Sequence, residues 1–277
     1  MSKEFYQNER REMLFKAYQK AQELLARDEI LLDDFVDLYG EENVSRDRKY
    51  VADREEGFKV GSNDQEAEHL QLAVIFEAIL HEHGEQSNWF GSTATTVKAS
   101  RFDDIAHGVD EIVEFTEDDS ISFLALAVDA TYSQFTDKKL SRIKDEIDRG
   151  ELTKIKYAVA EQNNFRGELT KVPRVIVGVS AETIYELAEL WLSNRNKDLA
   201  EHPVQFQIVE EIIEQCEVFG KYAQNIGKPE IAQKYERTRA IVQAVMDEKK
   251  KGLHDTGKRD DVSVALTMGM RDFRIKP

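Results

Sequence analysis

The spacing of apolar side chains divides the chain into segments. Leu14, Phe15, Tyr18, Ala21, Leu24 and Leu25 recur three or four positions apart, which puts them on one face of an amino-terminal helix. A second short helix is predicted over Leu31, Leu32, Phe35 and Leu38, ending at Gly40. From Gly40 to Asn63 the sequence is polar and without period, with Arg46, Arg48, Lys49, Arg54, Glu55 and Glu56 close together, and it reads as a long loop or hinge. Ser62 or Asn63 can then cap a helix from Asp64 to His83, since short polar side chains accept the orphan N–H groups at a helix start. Leu70, Ala73, Val74, Phe76 and Leu80 form its apolar face, and Glu77 stands at the margin of that face, an expensive place for an unpaired carboxylate.

The period then changes. Ser92 to Ser100, rich in Thr around Val97, reads as a strand, and Gly108 opens another through Val109, Asp110, Ile112, Val113 and Phe115. Glu117 to Ser120 form a hairpin-like turn into Ile121 to Asp129, whose unbroken run Phe123 to Val128 suits a central strand covered on both faces. Leu140, Ile143 and Ile147 mark a helix that Gly150 ends, followed by strands at Lys154–Val159 and Arg174–Val179. Ser180 caps a helix carrying Ile184, Leu187, Ala188 and Trp191. His202 and Pro203 open a longer one through Phe206, Ile212, Cys216 and Phe219, and Gly227 and Pro229 separate it from a last helix through Ile231, Tyr235 and Val245. The last two helices read as an antiparallel pair that covers the core or forms a homo-oligomer contact. The pattern predicts an α/β protein with a mixed central sheet, helices on both faces, and further helices at each end. Its segments are amino-terminal helices and loop (1–63), an α/β core (64–196), a helical pair (197–251) and a tail (252–277).

Composition narrows the setting. A charged fraction of 33% and a hydrophobic fraction of 41% are those of a folded chain with a well-solvated surface. No apolar stretch approaches the roughly 18 residues that cross a bilayer, and the amino end carries no apolar signal segment, so the expected location is the cytoplasm with no membrane partner. Cys216 is the single cysteine, which excludes an internal disulfide and a zinc knuckle. A net charge of −16 opposes unspecific adhesion to nucleic acid. Between Lys138 and Arg174, however, ten Lys or Arg stand against six Asp or Glu. This is either an ordinary solvated surface or a face through which Lys139, Arg142 and Lys144 meet a nucleic-acid backbone. No phosphate-binding GxxxxGK[ST] loop, GxGxxG turn or HExxH helix is present.

Acidic residues fall one to an element: Glu77 on a helix, Asp110 on one strand and Asp129 where the next strand ends. In this order and placement, residues 64 to 179 resemble the PD-(D/E)XK nuclease-like superfamily. The resemblance implies a restriction-endonuclease-like core in which Glu77, Asp110 and Asp129 hold Mg²⁺ for phosphodiester hydrolysis. Gly108-Val109-Asp110 matches the second-strand motif, and Asp129-Ala130-Thr131 takes the place of the acidic-x-Lys motif. Thr131 stands where the family has its water-activating lysine, which leaves Lys139 on the following helix or Lys98 on the preceding strand to supply the charge. The chemistry of the set agrees, since Mg²⁺ accepts hard oxygen ligands and converging carboxylates repel one another without a cation.

The expected function is thus a Mg²⁺-dependent nuclease or a relative that binds nucleic acid without cutting it. A second reading is a non-catalytic protein whose acidic surface recognises a protein partner. A third is a ribonuclease-H-like nuclease, with Asp129 as its first aspartate and Asp260 and Asp261 as its last acidic motif.

Overall fold

The computed structural model describes residues 3–59, 64–117, 120–129, 134–160 and 165–274, with the backbone alone described at 3–7, 58–59, 64–66, 117, 120, 126–129 and 134–135. Helix α1 (Lys3–Arg27) buries Leu14, Ala17, Ala21, Leu24 and Leu25, while Phe15 lies off the stripe and is 55% exposed. One tight turn (Leu32–Phe35) and α2 (Val36–Tyr39) follow, and Gly40 ends them at φ 78°.

The segment expected to be a loop is a helix, α3 (Glu41–Lys59). Its inward positions include Val44 and Asp47, both buried, and Val51 and Glu55, both half-buried. Two of these four are carboxylates, so the helical period is present but not in hydropathy. Asp47 accepts a hydrogen bond from Tyr157 Oη at 2.7 Å and is ion-paired with Lys156. Around it the rings of Phe35, Tyr39 and Phe102 meet that of Tyr157 edge to face, with centroids 5.1, 5.4 and 5.5 Å away.

Helix α4 (Asp64–Gln86) packs between α1 and the sheet. Its residues Leu72, Ile75, Phe76, Ile79 and Leu80 are buried, whereas Leu70, expected on the core face, is 60% exposed. The expected caps Ser62 and Asn63 lie outside the described residues. β1 (Ala94–Lys98) leads to a short helix that the apolar pattern did not predict, α5 (Arg101–His107), started by Ser100, whose Oγ accepts from Asp103 N at 3.1 Å. Gly108 ends α5 in the left-handed conformation at φ 65°, so the next strand, β2, begins at Glu111 and runs to Glu117 instead of opening at Gly108. Asp110 stands just before it, with its carbonyl accepting from Ala99 N at 3.1 Å.

β2 pairs antiparallel with β1 and with β3 (Ser120–Asp129), and the turn positions 118 and 119 lie outside the described residues. After α6 (Gln134–Arg149) the chain forms a separate antiparallel hairpin of β4 (Thr153–Ala160) and β5 (Phe165–Val172), the second of which the apolar pattern did not predict. It returns as β6 (Arg174–Gly178), parallel to β3, giving the order β1-β2-β3-β6. β3 is therefore hydrogen-bonded along both edges, as its continuous apolar run requires. One sheet face packs Val113, Phe115 and Leu124 into a core shared with α4, and Ile112 and Ala125 from the opposite face pack with Ile155 and Ala158 of the hairpin.

Ser180 caps α7 (Ala181–Leu192), α8 (Asn196–Ala200) follows, and α9 (Val204–Asn225) and α10 (Pro229–Gly252) pack against each other, with α9 lying on β6. Cys216 is buried in α9. The carboxy-terminal tail is ordered: α11 (Asp261–Gly269) and a final turn (Met270–Phe273) bury Val262, Leu266, Met270 and Phe273, and the Phe273 ring lies 4.5 Å from that of Phe219. Among the described residues no helix is long and apolar enough to cross a membrane.

Candidate functional site: a carboxylate cluster around Lys98

The ladder between β1 and β2 sets Lys98 opposite Glu111. Above them α4 presents Glu77 and His81, which are four residues apart and so share a helix face. The result is two crossed pairs: Lys98 is ion-paired with Glu77, and His81 Nδ1 lies 3.0 Å from Glu111 Oε1. The outer nitrogen of His81 reaches Asp28, just past the end of α1, at 3.3 Å.

Two further carboxylates join from α5 and the start of β2. Asp104 is ion-paired with Arg101, which also binds Glu55 of α3 at 2.7 Å. Asp110 raises the proton affinity of both Glu77 and Asp104 by its charge. Burial, with Asp110 and Glu111 assisting, pushes the Glu77 carboxyl up to about 7 against the opposing charge of Lys98. Burial and then Asp110 push Asp104 up to about 7 as well, against Arg101 and Lys98. Glu111 is fully buried, its carboxyl is raised by that burial, and its Oε2 has no hydrogen-bond partner among the described residues. Burial works to lower Lys98, but Glu77, Glu111 and Asp104 outweigh it and keep the ammonium charged. The cluster thus holds more carboxylates than its cations neutralise, and Glu77 and Asp104 take up protons near neutral pH.

Of the three acidic residues singled out in the sequence, Glu77 and Asp110 come together. The β2–β3 register pairs Glu111 with Leu126, so Asp110 falls opposite Ala127, and the backbone of Asp129 lies two residues further along β3, beside Gly178 of β6. Asp129's side chain and the whole of Thr131 lie outside the described residues. Among the described residues no group of three His, Cys, Asp or Glu is arranged to hold a metal ion. Of the two lysines considered for the family's missing one, Lys98 is the one in contact with Glu77. Lys139 sits on α6 and is half-buried.

The basic face expected from Lys139, Arg142 and Lys144 is not one face, because Arg142 and Lys144 are two positions apart and a helix turns such residues to different sides. Arg142 reaches back to the carbonyl of Ala106 at the end of α5, whereas Lys144 binds Asp148 at 2.9 Å and Tyr222 Oη at 2.6 Å. Asp260 serves as a cap, accepting from Val262 N, Ser263 N and Ser180 N at 3.1, 3.2 and 2.6 Å. Glu111 and His81 were missed. Their signal was the i, i+4 spacing of Glu77 and His81, which becomes informative once Lys98 and Glu111 are known to be cross-strand partners. No family model, curated protein or solved structure matches the chain.

Proposed function

We propose that the chain is a PD-(D/E)XK-like nuclease acting in the cytoplasm, in which Lys98 supplies the charge that the family places at the position of Thr131. The observation that carries this reading is the contact of Lys98 with Glu77 beside Asp110, at the end of the sheet where β3 and β6 terminate. The element order supports it: α4, β1, β2, β3, α6 and β6 run helix, strand, strand, strand, helix, strand, with α5 and the β4–β5 hairpin as insertions.

Glu77, Asp104 and Asp110 are oxygen donors of the kind a hard divalent cation accepts and their mutual repulsion is only partly offset, but these three are not arranged as a metal site by themselves, so the reading needs Asp129 to complete it. Glu77, Asp110 and Asp129 would hold Mg²⁺, which when bound lowers the pKa of water and stabilises charge on phosphate oxygens. Lys98, held by Glu77, would orient the attacking water and oppose the negative charge that builds on the phosphate oxygens. Asp104, poised near 7, would hold or release a proton at neutral pH.

The test is degradation of labelled DNA and RNA by the purified chain with Mg²⁺ or Mn²⁺. Turnover that is lost in Asp110→Asn and Asp129→Ala supports the reading. Wild-type chain that neither cuts nor binds nucleic acid contradicts it. One observation favours a binding-only relative: Glu77, Lys98, Glu111 and His81 neutralise one another in pairs, so the same quartet can serve as a buried ion network without turnover.

A further inference from the structure

Two guanidinium groups converge on Gly108, two residues before Asp110. A Cβ at that position would lie 3.1 Å from Arg142 Nη1 and 3.8 Å from Arg174 Nη1. Gly108 has φ 65° and no side chain, and both features are needed for α5 to end there with two arginines above it. Arg174 is 2% exposed and donates to the carbonyl of His107 and, at 2.9 Å, to Glu146 Oε1. Arg142 donates to the carbonyl of Ala106, and its Nε lies 3.8 Å from that same Glu146 oxygen. The other oxygen of Glu146 accepts from Thr153 Oγ1 at 3.1 Å. One carboxylate oxygen therefore faces two guanidiniums, while the other is turned to Thr153.

Asp110 also acts on Arg174 electrostatically. His107, adjacent to Gly108, is turned to Asp103 at 2.8 Å. Arg174 is fixed as a buried support, while the Arg142 side chain is 42% exposed and keeps N–H groups beyond the one given to Ala106. A planar fork of this kind matches the oxygens of a phosphodiester better than a lysine does.

We propose that Arg142, backed by Arg174 across Gly108, is the residue that holds a backbone phosphate of the nucleic acid beside the carboxylate cluster. This rests on the nuclease-like reading and narrows the expected basic face to one side chain. The sequence gives Lys139 and Lys144 the same standing as Arg142, but Arg142 has its guanidinium at the turn that leads into Asp110, and Lys144 is turned to Asp148 and Tyr222.

The experiment is equilibrium binding of a fluorescein-labelled DNA duplex to the full chain in Ca²⁺, with Arg142→Gln, Arg142→Lys and the control Lys221→Gln on α9, each checked by thermal melting. The expected result is binding weakened about tenfold by Arg142→Gln, with a salt dependence lower by about one phosphate contact, partial recovery in Arg142→Lys, and no change in Lys221→Gln. If wild type binds and Arg142→Gln binds equally well, the assignment of Arg142 is wrong and the nuclease-like reading stands. If wild type shows no binding even at low salt, both are wrong. Should Arg142→Gln melt early, the comparison of Arg142→Lys with wild type decides: equal affinity and an equal salt slope overturn the assignment, because the fork and not the charge alone is claimed.

Discussion

His81 Nδ1 lies 3.0 Å from Oε1 of the fully buried Glu111, while its other nitrogen faces Asp28 at 3.3 Å, so one imidazole joins the end of α1 to the strand beside Asp110. Burial alone would lower its pKa, but the two carboxylates raise it to about 9, and the ring is an imidazolium at neutral pH. The folded value lies above the unfolded one of about 6.5. The stabilisation is therefore complete below about pH 6.5 and lost as pH rises through 9, at most about 3 kcal/mol. Chemical denaturation from pH 6 to 10 should show this loss in the wild type. His81→Gln should be less stable at pH 6 and flatter across that window. Parallel curves would mean that the imidazole is neutral.

Asp103 is a second buried carboxylate, with a different task. It accepts from the backbone N–H groups of Lys156 at 2.7 Å and Tyr157 at 3.0 Å and from Ser100 Oγ at 2.6 Å, which satisfies an edge of β4 that pairs with no strand. Asp103→Ala leaves those donors buried and unmade, so it should cost about 3 kcal/mol in urea unfolding. A loss below about 1 kcal/mol would show that water replaces the carboxylate.

The ordered tail predicts that ending the chain after Gly252 lowers the melting temperature, because it uncovers Phe219 and Tyr222, against which Phe273 packs. Asp260→Ala should reproduce part of that loss, about 1 kcal/mol or more, since the residue caps α11 and binds Ser180. An unchanged melting curve for both would show that α11 adds no stability.

How much of this was legible in the sequence depended on where each element spends its apolar residues. β3 was readable because a strand buried on both faces has no polar position to interrupt Phe123 to Val128. α3 was not, because its inward face carries Asp47 and Glu55, whose partners Lys156, Tyr157 and Arg101 are remote in sequence. β5 was hidden for the opposite reason: it pairs along one edge only, and Arg166, Glu168, Thr170 and Lys171 keep its pattern polar. α5 is too short for a period, although its two ends, Ser100 and Gly108, are both conventional caps. In the site, Glu77 and Asp110 could be named from their elements, but the neighbours of Lys98 depend on register, which a single strand does not encode.

Divalent metal supplies a test that needs no turnover. Millimolar Mg²⁺ should raise the melting temperature of the wild type by relieving repulsion among Glu77, Asp104 and Asp110, with about 2.7 kcal/mol expected at a hundredfold excess over Kd. Asp110→Ala should reduce that gain. A wild-type curve that does not move with Mg²⁺ would leave the cluster as a purely internal ion network.

The central claim, the proposal that Lys98 does the work of the lysine that a PD-(D/E)XK-like site would carry at position 131, is tested most directly by single-turnover cleavage of a DNA duplex in Mg²⁺ by wild type, Lys98→Met and Thr131→Lys. Methionine keeps the length of the side chain and removes its charge, and saturating Mg²⁺ keeps Glu77 ionised as a ligand. The account predicts cleavage by wild type and a loss of at least about a hundredfold in Lys98→Met without loss of metal binding. Cleavage by Thr131→Lys alone, or undiminished cleavage in Lys98→Met, would contradict it.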